Sequence, residues 1–321
     1  MSALIQADRP TAGGHVPPEP ELFEQTVRRS VVHRAAVSEV LLTGFRPNVG
    51  ETYRFGVQWP RGHSYYGAVA GRWHDPMIFA ESIRQVGFYL AHEVLDVPYG
   101  THFISDTTSF RMAEEGCRLA VGPAHVLLEA TLTKVARRRE AVTAYAYEVT
   151  ARRDGRIVGT GRMSAQLLPK RIYQRLRGAH LTARPALTVP APVNPRLVGR
   201  SAAFDVVLAE GPEDRTHVLR IDGSHPVLFD HPVDHVPGMV LLEAARQSAL
   251  AGLERPDGLL VSADASFTKY VEFDEPCLIT HAPPVPEGDG CHRLDVRFQQ
   301  AGAPVGRCDV VIRDGAARCG R

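Results

Sequence analysis

Two stretches of the chain are apolar on most sides of a helical wheel. Over 76–93, Met77, Ile78, Phe79, Ile83, Val86, Phe88 and Leu90 cover a broad face. Over 238–252, Met239, Val240, Leu241, Leu242, Ala245, Ala249 and Leu250 do the same. A helix that is hydrophobic nearly all round belongs inside a fold rather than on its surface. Pro76 suits the first turn of the first helix, with Asp75 placed to cap it. Short strand-like runs precede each helix, at 37–42 and 52–59 and again at 203–209 and 217–221. After each helix the alternation changes to a period of two, the mark of strands. Runs 130–136, 141–151 and 157–167 follow the first helix, and 259–267, 277–282, 293–299 and 304–313 the second. Asp154-Gly155-Arg156 and the stretch 300–304 are the matching hairpin turns.

The pattern is written twice. "PMIFAESIRQ" (76–85) and "GMVLLEAARQ" (238–247) share Met, Glu, Arg and Gln at identical spacing. Downstream, "DTTSFRM" (106–112) and "DASFTKY" (264–270) repeat Ser-Phe between an Asp and a basic residue. Two echoes in the same order indicate a duplicated unit of about 150 residues. The expected fold is α+β: a tandem double hotdog, each half a curved antiparallel sheet wrapped around a central helix, packed as a pseudo-dimer. The division expected is a disordered N-terminal arm (1–29), a first hotdog domain (30–168), a linker (169–200) and a second hotdog domain (201–315).

Composition narrows the function. Of 321 residues, 37 are Lys or Arg and 36 Asp or Glu, a net charge of +1 that argues against a general nucleic-acid binder. No run approaches the roughly 18 apolar residues of a membrane span. The N-terminus lacks the charged and apolar regions of a secretion signal. The cysteines, Cys117, Cys277, Cys291, Cys308 and Cys319, are odd in number and form no close pair, which fits a reducing cytoplasm better than a disulfide framework or zinc site. The connector 169–200 is basic and then Pro-rich; its basic half is either a solvated linker or a surface for an acidic carrier protein.

The candidate chemistry lies in "HPVDHVPGMVLLEAARQ" (231–247). The first turn of a helix carries unsatisfied N–H groups and partial positive charge, and Gly238 after Pro237 leaves the first amides, with Met239, open to a ligand carbonyl. His231 and His235 stand just ahead as proton carriers, and Asp234 can orient one of them. Glu243, inside an apolar helix, is expected to have a raised pKa suited to acid–base work. Arg246 pairs with it or holds a phosphate, and Glu81 and Arg84 repeat the pair in the first half. Copy two is the better candidate for chemistry. In the first loop His63, Tyr65 and Tyr66 either line a pocket or pack. His231 and His235 are not on a helix, so a metal site is not expected.

The loop-helix motif resembles that of 3-hydroxyacyl-carrier dehydratases. Taken together with "RWHDPMIFAESIRQVGFYL", it more closely resembles the A-factor biosynthesis (AfsA-type) family, over about 30–315. The resemblance implies acyl transfer from acyl carrier protein or CoA to dihydroxyacetone phosphate, beginning γ-butyrolactone signal synthesis without a bound cofactor. Glu81, Glu243 and Arg246 are the positions it favours. His231 stands two residues nearer Glu243 than the dehydratase pattern requires, which argues against dehydration. With neither a GxSxG elbow nor a Cys–His pattern, direct transfer is the simpler mechanism. The alternatives are a dehydratase or thioesterase of the same fold, or a regulator that binds acyl ligands without chemistry.

Overall fold

The computed structural model describes residues 19–47, 52–186 and 188–315. The elements run β1 (Leu42–Pro47), β2 (Thr52–Trp59), α1 (Met77–Tyr89), β3 (His102–Met112), α2 (Glu114–Cys117), β4 (Ala124–Arg138), β5 (Ala141–Arg153) and β6 (Arg156–Leu168). They continue as α3 (Lys170–Arg177), β7 (Leu208–Glu210), β8 (Thr216–Leu219), α4 (Gly238–Leu253), β9 (Leu259–Phe267), β10 (Cys277–His281), β11 (Val285–Gly288), β12 (Cys291–Gln300) and β13 (Ala303–Arg313). All strand pairings are antiparallel, in the order β1-β2-β4-β5-β6-β3 and then β9-β13-β12-β10-β8-β7, with β11 beside β12. The second series is the first read backwards, as two copies of one unit joined edge to edge require.

Each half wraps its sheet around one helix. Met77 to Ile83 on α1 and Val240 to Leu250 on α4 are buried on every side, which is why both sequences are apolar all round. Beyond Tyr89, α1 widens into a π-turn over Leu90–Val94. Asp75 caps α1, its Oδ1 accepting from the Met77 N–H at 3.0 Å. The hairpin turns fall where expected, with Asp154 and Gly155 at φ 53° and 76°, the paired left-handed conformation of a two-residue hairpin. The halves join through β3 and β9, where Ser109 lies opposite Asp264 and Phe110 opposite Ala263. These are the strands that carry the second sequence echo.

Four expectations need correction. The runs 37–42 and 203–209 are not strands throughout: each opens with a 3-10 turn, Val37–Glu39 and Ala203–Asp205. Their following amides, Leu41 and Val207, bond to the side chains of Gln85 and Gln247 instead of a strand ladder. Of the arm expected to be disordered, 1–18 lies outside the described residues, but 19–29 is ordered. Leu22 is buried on β1 and β2, where a side chain at Gly56 would collide with its carbonyl. Finally, the connector is no free linker: Tyr173, Arg177, Val193, Val198 and Arg200 are all buried.

Candidate active site

The two central helices begin differently. Pro237 precedes α4 in extended conformation (φ −61°, ψ 142°), and its carbonyl accepts from Val240 and Leu241. The amides of Gly238 and Met239 meet no acceptor among the described residues, so the positive end of α4 is open where that of α1 is closed by Asp75.

His235 stands beside this opening. Its Nδ1 lies 2.8 Å from Asp234 Oδ1. Asp234 also accepts from the Tyr173 hydroxyl (2.7 and 2.9 Å) and from Arg177 Nε (3.0 Å). Burial works to raise the Asp234 pKa, but the hydrogen bonds from His235, Tyr173 and Arg177 outweigh it and hold the carboxyl well below its usual range. An ionised Asp234 fixes the imidazole and stabilises a positive charge on it. Arg177 is itself clamped by Glu272 at 2.5 and 2.7 Å.

A cavity of about 260 Å³ lies between α4's first turn and α1, reaching Phe88, Tyr145 and Met163 at its apolar end. A wider vestibule of about 830 Å³ shares Phe103, Ser105, His235, Gly238 and Phe267 with it. The polar wall of the inner chamber carries Arg34, Arg84 and four histidines, His33, His102, His231 and His235, with Asp230 as its acid. Arg84 donates Nε and Nη2 to Glu81 at 2.8 and 2.9 Å, and Nη1 meets no acceptor among the described residues. Burial and the neighbouring His92 push the His33 pKa down to about 3, and burial and Arg84 lower that of His231. His231 is half exposed at the rim, its Nδ1 3.5 Å from Asp230.

Glu243 and Arg246 sit elsewhere. Neither is among the residues lining this cavity. Glu243 is fully buried and accepts from Arg200 (2.8 and 3.0 Å), Arg246 (2.6 and 2.9 Å) and Gln247 (2.6 Å). Glu81 accepts likewise from Arg34, Arg84 and Gln85. The raised pKa expected for Glu243 is overturned. Burial alone would raise it, but Arg200 and Arg246 bring it down to about 2, as Arg34 and Arg84 do for Glu81. A carboxylate so held is a poor proton carrier near neutrality. Arg246, expected to hold a phosphate, is sealed in at 3% exposure. Its counterpart Arg84, with a side chain 16% exposed, faces the cavity, which the more deeply buried Arg34 also lines. The better candidate pairing is therefore mixed, copy one's arginine with copy two's helix end. Tyr65 and Tyr66 are buried, and the Tyr65 ring lies 4.0 Å beneath the Arg200 guanidinium. His63 is a loop staple, accepting from the amides of Tyr65 and Tyr66, as His225 does from Val227 and Leu228.

Sequence reasoning missed Arg34 and Arg200. Both precede an acid and an apolar run at matching spacing, "RAAVSEVLL" and "RSAAFDVVL". Each also crosses between halves, Arg34 to the Val227 carbonyl (3.0 Å) and Arg200 to that of Tyr65 (2.5 Å).

A helix enclosed by an antiparallel sheet, repeated in one chain and meeting its copy edge to edge, defines a tandem hotdog protein. The chain belongs to the A-factor biosynthesis hotdog domain family, whose model matches residues 16–169 and 181–313. A 2-oxo-3-(phosphooxy)propyl 3-oxoalkanoate synthase of Streptomyces virginiae is 38% identical over 292 residues, 91% of this chain and 99% of that one. A synthase of the same name from Streptomyces coelicolor is 33% identical over 261 residues, 80% of this chain and 83% of that one. Among solved structures, an oleoyl thioesterase of Lactobacillus plantarum shares the fold, with a TM-score of 0.51 and 10% identity over 82% of this chain and 96% of that one.

Proposed function

We propose that the protein is an acyltransferase that joins a 3-oxoacyl group, delivered as a thioester, to a hydroxyl of dihydroxyacetone phosphate. The product is a 2-oxo-3-(phosphooxy)propyl 3-oxoalkanoate, the opening compound of γ-butyrolactone signal synthesis. The activity is that of the synthases this chain resembles over most of its length. The observation that carries the site is the open first turn of α4 beside an Asp-oriented histidine, at the end of an apolar chamber.

The acyl chain occupies the apolar end, towards Phe88, Tyr145 and Met163. The thioester carbonyl points at the Gly238 and Met239 amides, which stabilise the oxyanion. His235, through the nitrogen not bonded to Asp234, takes the proton of the attacking hydroxyl. The new C–O bond forms, the tetrahedral centre collapses, the C–S bond breaks, and the thiolate leaves with the proton from His235. The phosphate is held by Arg84 Nη1, with the His231 imidazole adding a hydrogen bond from the rim. The acyl donor is proposed to be an acyl carrier protein, with CoA as the alternative, and no further cofactor is needed because the thioester is already activated. We infer that the reaction is cytoplasmic, a reading supported by Cys117, Cys277, Cys291 and Cys308, which are free among the described residues. Among the described residues, no helix is long and apolar enough to cross a membrane.

Mass spectrometry of the purified protein with a 3-oxoacyl thioester and dihydroxyacetone phosphate tests this. Formation of the phosphorylated ester is expected. Release of free acid at the same rate with or without the acceptor would instead make the protein a thioesterase.

A further inference from the structure

The helix α3 does more than connect the halves. Its inner side, Tyr173 and Arg177, is buried and bonded to Asp234, while the Tyr173 ring stacks on His102 at 3.6 Å. Its outer side leaves Ile172 and Leu176, one turn apart, 46% and 59% exposed. Lys170, Arg171 and Arg175 stand exposed around them, and the helix contains no acid. Beside Lys170 runs a groove of about 920 Å³ with Tyr99 and Val142 in its wall, Arg137 and Arg139 on its rim and two acids, Asp96 and Glu140, also in its lining. Groove and inner chamber meet at Thr101, which lines both. Among the described residues, none of Arg137, Arg139, Lys170, Arg171 and Arg175 forms an ion pair with a carboxylate. The whole chain is nearly neutral, so three unpaired cations on α3 beside two exposed aliphatic side chains, with two more on the adjoining groove, form a local feature and not the reflection of a basic protein.

We propose that α3 and the adjoining Arg137–Arg139 rim are the docking surface for an acidic acyl carrier protein, whose thioester-bearing arm then enters the chamber past α3. This rests on the reading that the donor is a carrier-bound thioester. Charge complementarity selects the occupant: an acidic helix with a central apolar stripe matches cations flanking Ile172 and Leu176. The acids of the vestibule, Asp274 and Glu275, lie on the wall beyond His180 and set the carrier's orientation by repulsion. A complex held by rim charges forms quickly and weakens with salt. The same α3 residues that face inward hold Asp234, so the docked carrier sits one residue layer from the His235 dyad.

The test uses the triple variant Arg139→Glu/Arg171→Glu/Arg175→Glu, all exposed positions outside the chemistry. Binding of fluorescently labelled carrier protein is read by anisotropy, which needs no turnover, alongside transfer from carrier-bound and from acyl-pantetheine donors. The expected result is a loss of carrier affinity of about tenfold or more, with a matching rise in KM for the carrier-bound donor. Transfer from acyl-pantetheine should be unchanged, which also shows the variant is folded. Carrier affinity equal to wild type would overturn the docking surface while leaving the acyltransferase reading intact. Carrier binding by the wild type that the variant loses at an unchanged melting temperature, with no ester made by the wild type from either donor, would uphold the surface and sink that reading. Wild-type protein that binds anionic phospholipid vesicles but not the carrier would also overturn the proposal.

Discussion

At the scale of single residues, the question is which ionisable groups move protons and which hold the fold. His235 has a partner on one nitrogen and a cavity beside it. His235→Ala should lower kcat by about 10²–10⁴-fold, with the melting temperature little changed, in an assay of ester formation. Glu243 and Glu81 have the opposite character. Glu243→Gln leaves the buried Arg200 and Arg246 with only Asp75, 3.8 Å from Arg200, as counter-charge and should cost about 3 kcal/mol in denaturant unfolding. The pH dependence follows. Both carboxyls sit at about 2 when folded against 4.5 in the free side chain, so their stabilising contribution is complete above about pH 4.5. It is lost progressively as pH falls towards 2. Melting curves from pH 7 to pH 3 should show this acid slope, and Glu243→Gln should flatten it. The sequence marks these glutamates by their repetition and apolar surroundings, but the same marks fit catalysis and structure equally. Only the positions of Arg34 and Arg200, more than 40 residues away in sequence, separate the two.

At the scale of elements, the helices share one sequence pattern but only α4 opens to a ligand. The difference lies in two adjacent positions: Asp75 and Pro76 ahead of Met77 stand where Pro237 and Gly238 stand ahead of Met239. Pro237→Asp would install the cap on α4. It should stabilise the protein by about 1 kcal/mol in denaturant unfolding, yet abolish most of the transfer activity, because the carboxylate would occupy the amides that receive the oxyanion. A gain in stability without loss of activity would remove those amides from the mechanism. Helices, hairpins and most strands could be read from periodicity, since each is decided by neighbours a few residues apart. The 3-10 turns at Val37–Glu39 and Ala203–Asp205 could not, because glutamine side chains on the distant helices take the amides that a strand would have used.

At the scale of the whole molecule, the halves are bound by the β3–β9 ladder and by Arg34 and Arg200 crossing between them. They should unfold as one unit. Both tryptophans, Trp59 and Trp73, lie in the first half. Ala265→Pro, which removes a ladder donor in β9, should therefore shift the tryptophan fluorescence transition as far as the circular dichroism transition. Separate transitions would show that the halves fold independently. The sequence by itself determined two buried helices, their wrapping strands and their duplication, because apolar periodicity and repeat spacing are properties of neighbouring residues. The tertiary structure alone decided which copies meet. Pairing β3 with β9 lays the two halves edge to edge, and the packed fold brings Arg84 of one to the helix end of the other while Arg246 is sealed inside. That choice rests on contacts between residues more than a hundred positions apart, and nothing local in the chain encodes it.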